Sequence, residues 1–319
     1  MAKNKKPIKS KDDTKVSFII LGLFVAGLIV FFIFSKNKES HKGHHKQYHK
    51  EYRLEPHKKK ASLPTEGVDA YIPNVKSVEP MPAEPVALEV LQNIQSKGEK
   101  IAIIIDDWGQ TTANCKYLKE IPEPMAVSIL PGLRHTQDVA ECAKLNGKLT
   151  MLHLPLEAQH NYDFYPPDYI IKTTMKQDLV SKIVEDDLAQ LPSIEGVNNH
   201  MGSKATEDKT LMTLILKKLK KKGLFFVDSM TAHNTVCAGV ADQMGLAFGK
   251  RDVFLDNINT REAITKQMVV LAQKALHKGY AVAIGHDRHL TMQVLKEEIP
   301  LLEKQGFHIV SIKTVLKNK

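Results

Sequence analysis

A chain of 319 residues, 43% apolar and 25% charged, has the composition of a folded protein with room for one large α/β domain or two small ones. Its net charge of +9 belongs to one end: residues 1–60 hold fifteen Lys and Arg against five Asp and Glu, leaving thirty against thirty-one in the remainder. Nucleic-acid binding needs an excess of basic charge on the folded part, and this balance excludes it as the main function.

In chain order, a basic segment over 1–15, expected on the cytoplasmic side, is followed by Val16–Phe34, VSFIILGLFVAGLIVFFIF, nineteen residues without a charge. A helix needs about 20 apolar residues to cross about 30 Å of hydrocarbon, so one transmembrane helix is expected over 16–34. A cleaved signal has a shorter apolar region of about 7–15 residues and then a small-x-small site. Here the run exits into Ser35-Lys36-Asn37, which favours an uncleaved anchor. Six basic residues precede the run and nine follow within 35–60, so flanking charge does not set its orientation.

Residues 35–98 read as a linker. His41–Lys60, HKGHHKQYHKEYRLEPHKKK, is too polar to bury the area that would order it, which makes it a juxtamembrane tether able to touch anionic lipid. Its five histidines are an alternative transition-metal site. Pro64, Pro73, Pro80, Pro82 and Pro85 punctuate the rest. Further on, Cys115, Cys142 and Cys237 show no metal-type spacing and make no disulfide framework.

The folded domain is expected over 99–319. Apolar runs at 101–105, 126–130, 149–153, 224–227, 281–285 and 308–311 read as strands, and segments such as Met175–Leu191, with Leu179, Ile183, Val184 and Leu188 on one face, read as helices. Such alternation gives an α/β fold with a parallel sheet, either open or closed as a barrel. In both, function gathers at the carboxyl ends of the strands.

The polar residues that follow the apolar runs are therefore the candidates. Asp106 and Asp107 follow 101–105, His153 follows 149–152, and Asn198, Asn199, His200 and Ser203 follow Gly196-Val197. Asp228 and Ser229 follow 225–227, and His286 follows 282–285. Carboxylate and imidazole together form the ligand set of a catalytic zinc or similar divalent ion, which activates water and polarises a carbonyl. Two adjacent aspartates leave a strand in different directions, so one can bind metal while the other takes a proton.

Each residue alone has a plainer reading. Asp106-Asp107 could cap a helix over 110–120, His153 could be a hydrogen-bonded core histidine, and the polar residues around His200 could build a turn. Their gathering at one sheet edge is what favours a site. Glu157 lies beyond Pro155 and reads as a supporting or surface carboxylate. Trp108, the only tryptophan, could stack on a sugar ring or pack over the strand end.

The segments IIIDDWG, HLPLE, GVNNHMGS, FVDSMT, RDVFLDN and AIGHDRHLT, in this order and spacing, resemble the divergent polysaccharide deacetylase family, a bacterial branch related to the NodB-type carbohydrate esterases. The resemblance covers about residues 99–315 and implies a distorted (β/α) barrel of about seven parallel strands. It also implies metal-assisted hydrolysis of an N-acetyl group on a glycan. Carried onto this chain, it makes Asp106 the general base, Asp107 a metal ligand and His286 of AIGH the acid that protonates the leaving amine.

One departure stands out. Deacetylases carry a His-x-x-x-His metal pair, whereas HLPLE supplies His153 and then Glu157, and His200 arrives on the next strand. The implied ligand set is Asp107, His153 and His200. Asp228 is expected on the opposite wall, orienting His286 or a substrate hydroxyl, and Asn198, Asn199, Ser203 and Arg251 are expected to contact substrate, with a salt bridge between Arg251 and Asp256 as the alternative.

The expected protein is a membrane-anchored hydrolase with a divalent metal, zinc foremost, that removes N-acetyl groups from an envelope glycan such as peptidoglycan. Its single span would lie in the inner membrane with the folded domain on the periplasmic or extracytoplasmic side. The altered metal pair keeps a second reading open, a non-catalytic envelope protein that binds glycan or a division partner. A different amide or ester is a third, because a fold fixes where chemistry occurs and not on what.

Overall fold

In the computed structural model, residues 94–160 and 169–317 are described. The expected cytoplasmic segment, membrane helix and nearly all of the linker lie outside the described residues, among which no helix is long and apolar enough to cross a membrane.

The described part alternates strands and helices as β1 (Lys100–Trp108), α1 (Cys115–Glu120), β2 (Ala126–Ile129), α2 (Thr136–Leu145), β3 (Leu149–Leu156), α3 (Gln177–Gln190), β4 (Gly196–Met201), α4 (Lys209–Lys221), β5 (Phe225–Asp228), α5 (Cys237–Met244), β6 (Phe248–Lys250), β7 (Val253–Phe254), α6 (Arg261–Lys278), β8 (Tyr280–His286), α7 (His289–Lys304) and β9 (His308–Ile309). Local chemistry sets several ends: Asp208 and Thr260 cap α4 and α6 by accepting from Leu211 N and Ala263 N. Gly279, at φ 82°, closes α6 in the left-handed conformation that glycine adopts without steric cost.

All strand pairings are parallel, in the order β6-β5-β4-β3-β2-β1-β8-β7, with β9 also on β1. β6 and β7 stand at opposite ends of this path yet are joined by Arg251-Asp252 alone. Three Cα steps reach at most about 11 Å, whereas a flat sheet of eight strands would be about 34 Å wide. The sheet must therefore curl on itself. The joining residues bond to both ends, Arg251 N donating to Asp228 O at 2.9 Å and Asp252 N to Val282 O at 2.8 Å. The path has eight strands where about seven are expected, because β6 and β7 span three and two residues and are too short to show a period of two.

Alternation along the strands separates two cores. Ile101, Ile103 and Ile105 of β1 pack outward against the helices, in a cluster that includes Leu216, Leu271 and Leu295. Ala102 and Ile104 point inward to Met151, Val227, Val282 and Ile284, and Ile312, Val315 and Leu316 plug the amino-terminal end of the barrel. Parallel partners share a face, so the inward files continue toward the carboxyl ends as Asp106 on β1, Ser128 on β2, His153 on β3, Asn198 and His200 on β4 and His286 on β8. The apolar interior becomes polar at one end only.

Candidate functional site

The pairing register builds the site directly. Asp106 is the Cα partner of His286, and His153 is the partner of Asn198, with His200 two residues further along the same inward face. By alternation Asp107 would point outward. It does not, because β1 shifts register between Ile105 and Trp108 and Asp107 adopts φ 63°. Aspartate tolerates the left-handed region better than most residues, and a bulge re-aims a side chain. Asp107 is thus turned toward His153 and His200, while Trp108 is fully buried and packs in the outer core, away from any sugar. Neither aspartate caps a helix, since α1 starts at Cys115 behind Asn114.

Oδ1 of Asp107 lies 3.2 Å from His153 Nε2 and 3.0 Å from His200 Nδ1. The three ligand atoms fall within 4.8 Å of one another. Tetrahedral ligands at ~2.1 Å from a zinc sit about 3.4 Å apart, so the donor set fits a divalent cation. The same oxygen is buried with the two imidazole nitrogens as its close polar neighbours, which suits an atom that would share a cation with them.

Asn198 selects the histidine tautomer. Its Nδ2 donates to Asp106 Oδ1 at 2.9 Å and to Ser229 Oγ at 3.2 Å, so its Oδ1 is the atom facing His153 Nδ1 at 2.9 Å and the Ser128 hydroxyl. His153 must donate from Nδ1, which leaves Nε2 to face Asp107 as a ligand would.

The charges are strongly coupled. Burial pushes the Asp107 carboxyl up, but His153 and His200 outweigh it and hold it well below the usual carboxylate range. Burial pushes the Asp106 carboxyl up, opposed by His153 and the Asn198 amide. His153 is raised because Asp106 and Asp107 overcome its burial, whereas burial keeps His200 low. A ligating imidazole must be neutral, so a divalent ion binding here would compete with the proton that Asp106 and Asp107 favour on His153.

His286 stands on the other side of Asp107, its Nε2 3.6 Å from Oδ2. Its partner is Asp256: Nδ1 lies 2.9 Å from Asp256 Oδ1, and its backbone N donates to Oδ2 at 3.0 Å. Asp256 is fully buried and also accepts from Thr291 Oγ1 at 2.6 Å. Burial pulls the His286 imidazole down, but Asp256 and Asp107 more than restore it, so it is raised overall.

The sequence offered Asp228 to orient His286 or a substrate hydroxyl, and the structure gives the contact with His286 to Asp256. Asp228, fully buried, accepts from Met230 N at 2.8 Å and Thr235 Oγ1 at 2.7 Å. Asn199, also buried, donates to Met201 O at 2.7 Å and accepts from Ser229 N at 2.9 Å. Arg251 donates to Ser229 O at 2.6 Å and Met230 O at 2.9 Å, and its guanidinium stacks 4.6 Å over Phe254. These three groups grip the backbone around Met201 and Met230, which share the left-handed conformation of Asp107 with φ 52° each. Such conformations persist only where the surroundings enforce them, and buried polar side chains do so here. Ser203 accepts from Gln159 N at 2.9 Å, and Glu157 accepts from Thr173 and from Lys204 Nζ at 2.9 Å.

Sequence reasoning passed over Ser128, Asp287 and Asn114. Ser128 lies on the inward file of β2 and could have been found by alternation. Asp287 depends on a tertiary contact, accepting from Asn114 Nδ2 at 2.7 Å while its N donates to Asp106 O at 2.8 Å. Burial raises the Asp287 carboxyl to about 6, with Asp107 adding and Asn114 opposing. A carboxyl raised in the fold binds its proton more tightly there than in the unfolded chain, at about 3.9. Stability should therefore fall as pH rises from about 4 to about 6. In metal-free protein the Tm advantage of Asp287→Asn over wild type is expected to grow across that window, and parallel melting profiles would refute the assignment.

The sequence model of divergent polysaccharide deacetylases matches residues 103–316. The chain is 30% identical over 200 residues to YibQ, an uncharacterized protein of Escherichia coli K12, a match taking in 63% of this chain and 62% of that protein's length. An uncharacterized protein of Haemophilus influenzae Rd is 30% identical over 202 residues, 62% of this chain and 70% of its own. The crystal structure of an uncharacterized protein from Agrobacterium tumefaciens C58 superposes with a TM-score of 0.66 at 17% identity, covering 72% of this chain and 94% of that one, and so shares the fold. Because the family match begins inside β1 and encloses Asp107, His153, His200 and His286 together with the strands that hold them, the chain belongs to the divergent polysaccharide deacetylase family.

Proposed function

We propose that the protein is a metal-dependent hydrolase that removes N-acetyl groups from an envelope glycan, held by residues 16–34 in the inner membrane with its folded domain on the extracytoplasmic side. The convergence of Asp107, His153 and His200 within 4.8 Å carries this reading, beside a second carboxylate and an imidazole braced by an acid. Those three residues would hold the ion, and their N and O donors suit zinc. Bound there, it supplies polarisation of the amide carbonyl and activation of water.

The remaining steps fall to the chain's own groups. Asp106, fixed by the Asn198 amide at 2.9 Å, accepts the proton of the attacking water. His286 donates a proton to the leaving nitrogen as the C–N bond breaks, giving acetate and a free amine. Asp256 holds the His286 Nδ1–H, which turns Nε2 toward the site. Asn199, Asp228 and Arg251 keep the rim in shape through the backbone at 199–230. Peptidoglycan is the proposed glycan, because a membrane tether would reach it.

The test uses the full chain purified in detergent, assayed by elemental analysis and by acetate release from N-acetylglucosamine oligomers and peptidoglycan. About one zinc per chain is expected, with release abolished by a chelator and restored by zinc. Metal-free protein inert on every N-acetylated glycan, yet retained by one, would favour the binding-protein reading.

A further inference from the structure

The amino-terminal end of the barrel, opposite the candidate site, has chemistry of its own. A cavity of about 560 Å³ opens where β4, β5 and β6 begin, with Leu224, Phe225 and Leu246 on its floor and Lys220, Lys222, Lys313 and one acid, Glu195, at its rim. Lys217, Lys220, Lys221 and Lys222 all lie exposed at the end of α4. Two acids answer this cluster, Glu195 pairing with Lys313 and Glu185 pairing with Lys218. Among the described residues, Lys217, Lys221 and Lys222 make no ion pair. Lysines in a last helical turn complement the helix dipole, but that accounts neither for their number nor for the apolar hollow beside them. A folded part near neutrality overall thus gathers cations at one end.

The same end receives the chain. Ile94 packs on the core ahead of β1, and Ser96 N donates to Gln305 O at 2.7 Å, so the polypeptide joins the barrel on the face that carries these lysines. Upstream lies the nineteen-residue apolar run 16–34, joined to the fold by residues 35–93. Resting on the membrane-anchor reading above, we propose that this face docks on the anionic phospholipid headgroups of the membrane that holds the chain, phosphates meeting Lys217, Lys220–Lys222 and Lys313 and the glycerol and upper acyl carbons entering the hollow. A tethered surface needs little intrinsic affinity, since the tether raises the effective headgroup concentration, and cationic patches within a Debye length of an anionic leaflet are attracted to it. Docking in this sense turns the carboxyl ends of the strands, with Asp107 and His286, away from the bilayer.

The experiment reconstitutes the full chain in vesicles of phosphatidylcholine alone or mixed equally with phosphatidylglycerol, and maps lysines by amine acylation and mass spectrometry. Resistance to alkaline extraction reports the anchor separately. Labelling of Lys217, Lys220, Lys221, Lys222 and Lys313 is expected to fall severalfold in the anionic vesicles only and to recover at high salt, while Lys204 at the opposite end of the barrel stays constant. The variant K217E/K221E/K222E, changed only at exposed positions, should lose the protection at Lys313. An extraction-resistant chain labelled alike in both vesicles overturns the docking surface and leaves the anchor standing. An extractable chain still protected by anionic vesicles overturns the anchor and supports the surface. Equal protection by a soluble polyanion of matched charge overturns the assignment to lipid.

Discussion

Replacing Asp107 by asparagine is expected to strip the protein of divalent metal and to lower glycan deacetylation by at least about 10³-fold, the loss of about 4 kcal/mol of transition-state stabilisation. Asparagine is the informative change because the backbone at this position has φ 63°. It tolerates that region as aspartate does, so the strand end keeps its shape while the charge between His153 and His200 disappears. Asp107→Ala should lose the metal equally and in addition destabilise the fold by about 1–2 kcal/mol, the cost of placing a Cβ without a polar tip in the left-handed region. Elemental analysis and thermal melting separate the two effects. Full metal occupancy in Asp107→Asn would remove this residue from the ligand set.

The second large effect is expected at Asp256, which touches neither the three ligand candidates nor the open face. Asp256→Asn should lower kcat about 10²–10⁴-fold, as expected when a proton donor loses its orientation and charge, with little change in KM. The pH profile supplies the signature. Asp256 helps to raise the His286 imidazole, and as the acid His286 must carry its proton, so the alkaline limb of the wild-type profile marks its deprotonation. Removing the carboxylate lowers that pKa and moves the limb to lower pH. A merely structural role would reduce activity at all pH values alike. Asp256→Glu should restore the limb, and an unchanged limb in Asp256→Asn would return the orienting role to another residue.

Much of this arrangement was legible in the order of residues. A period of two along a strand, read with the rule that parallel sheets keep their chemistry at the carboxyl ends, leads to Asp106, His153, His200 and His286 without coordinates. These are the residues at which each inward file turns from apolar to polar. Helices were legible where an apolar stripe ran for several turns, as in Met175–Leu191, observed as Gln177–Gln190. A helix over 110–120 was not, since only Cys115–Glu120 is helical and the preceding residues form the loop over the strand end.

The sequence by itself determined the chemistry available: which donors exist, that they follow apolar runs, and that the excess positive charge lies mostly outside the folded part. Only the tertiary structure decided which donors meet. Asp107 belongs to the centre because of a bulge and a left-handed residue, neither of which has a periodic signature. Asp256 rather than Asp228 braces His286 because Arg251-Asp252 carries the chain across the gap between the sheet's two ends, setting Phe254 beside Ile284 and Asp256 within hydrogen-bond reach of His286. Asn198, Asn199 and Arg251 read as substrate contacts in one dimension, and in three they bond to neighbouring side chains and backbone. Residue type and spacing fix what a side chain can bond to. The curl of the sheet, set by twist, register and a link too short to let its edges part, fixes what stands close enough to be bonded.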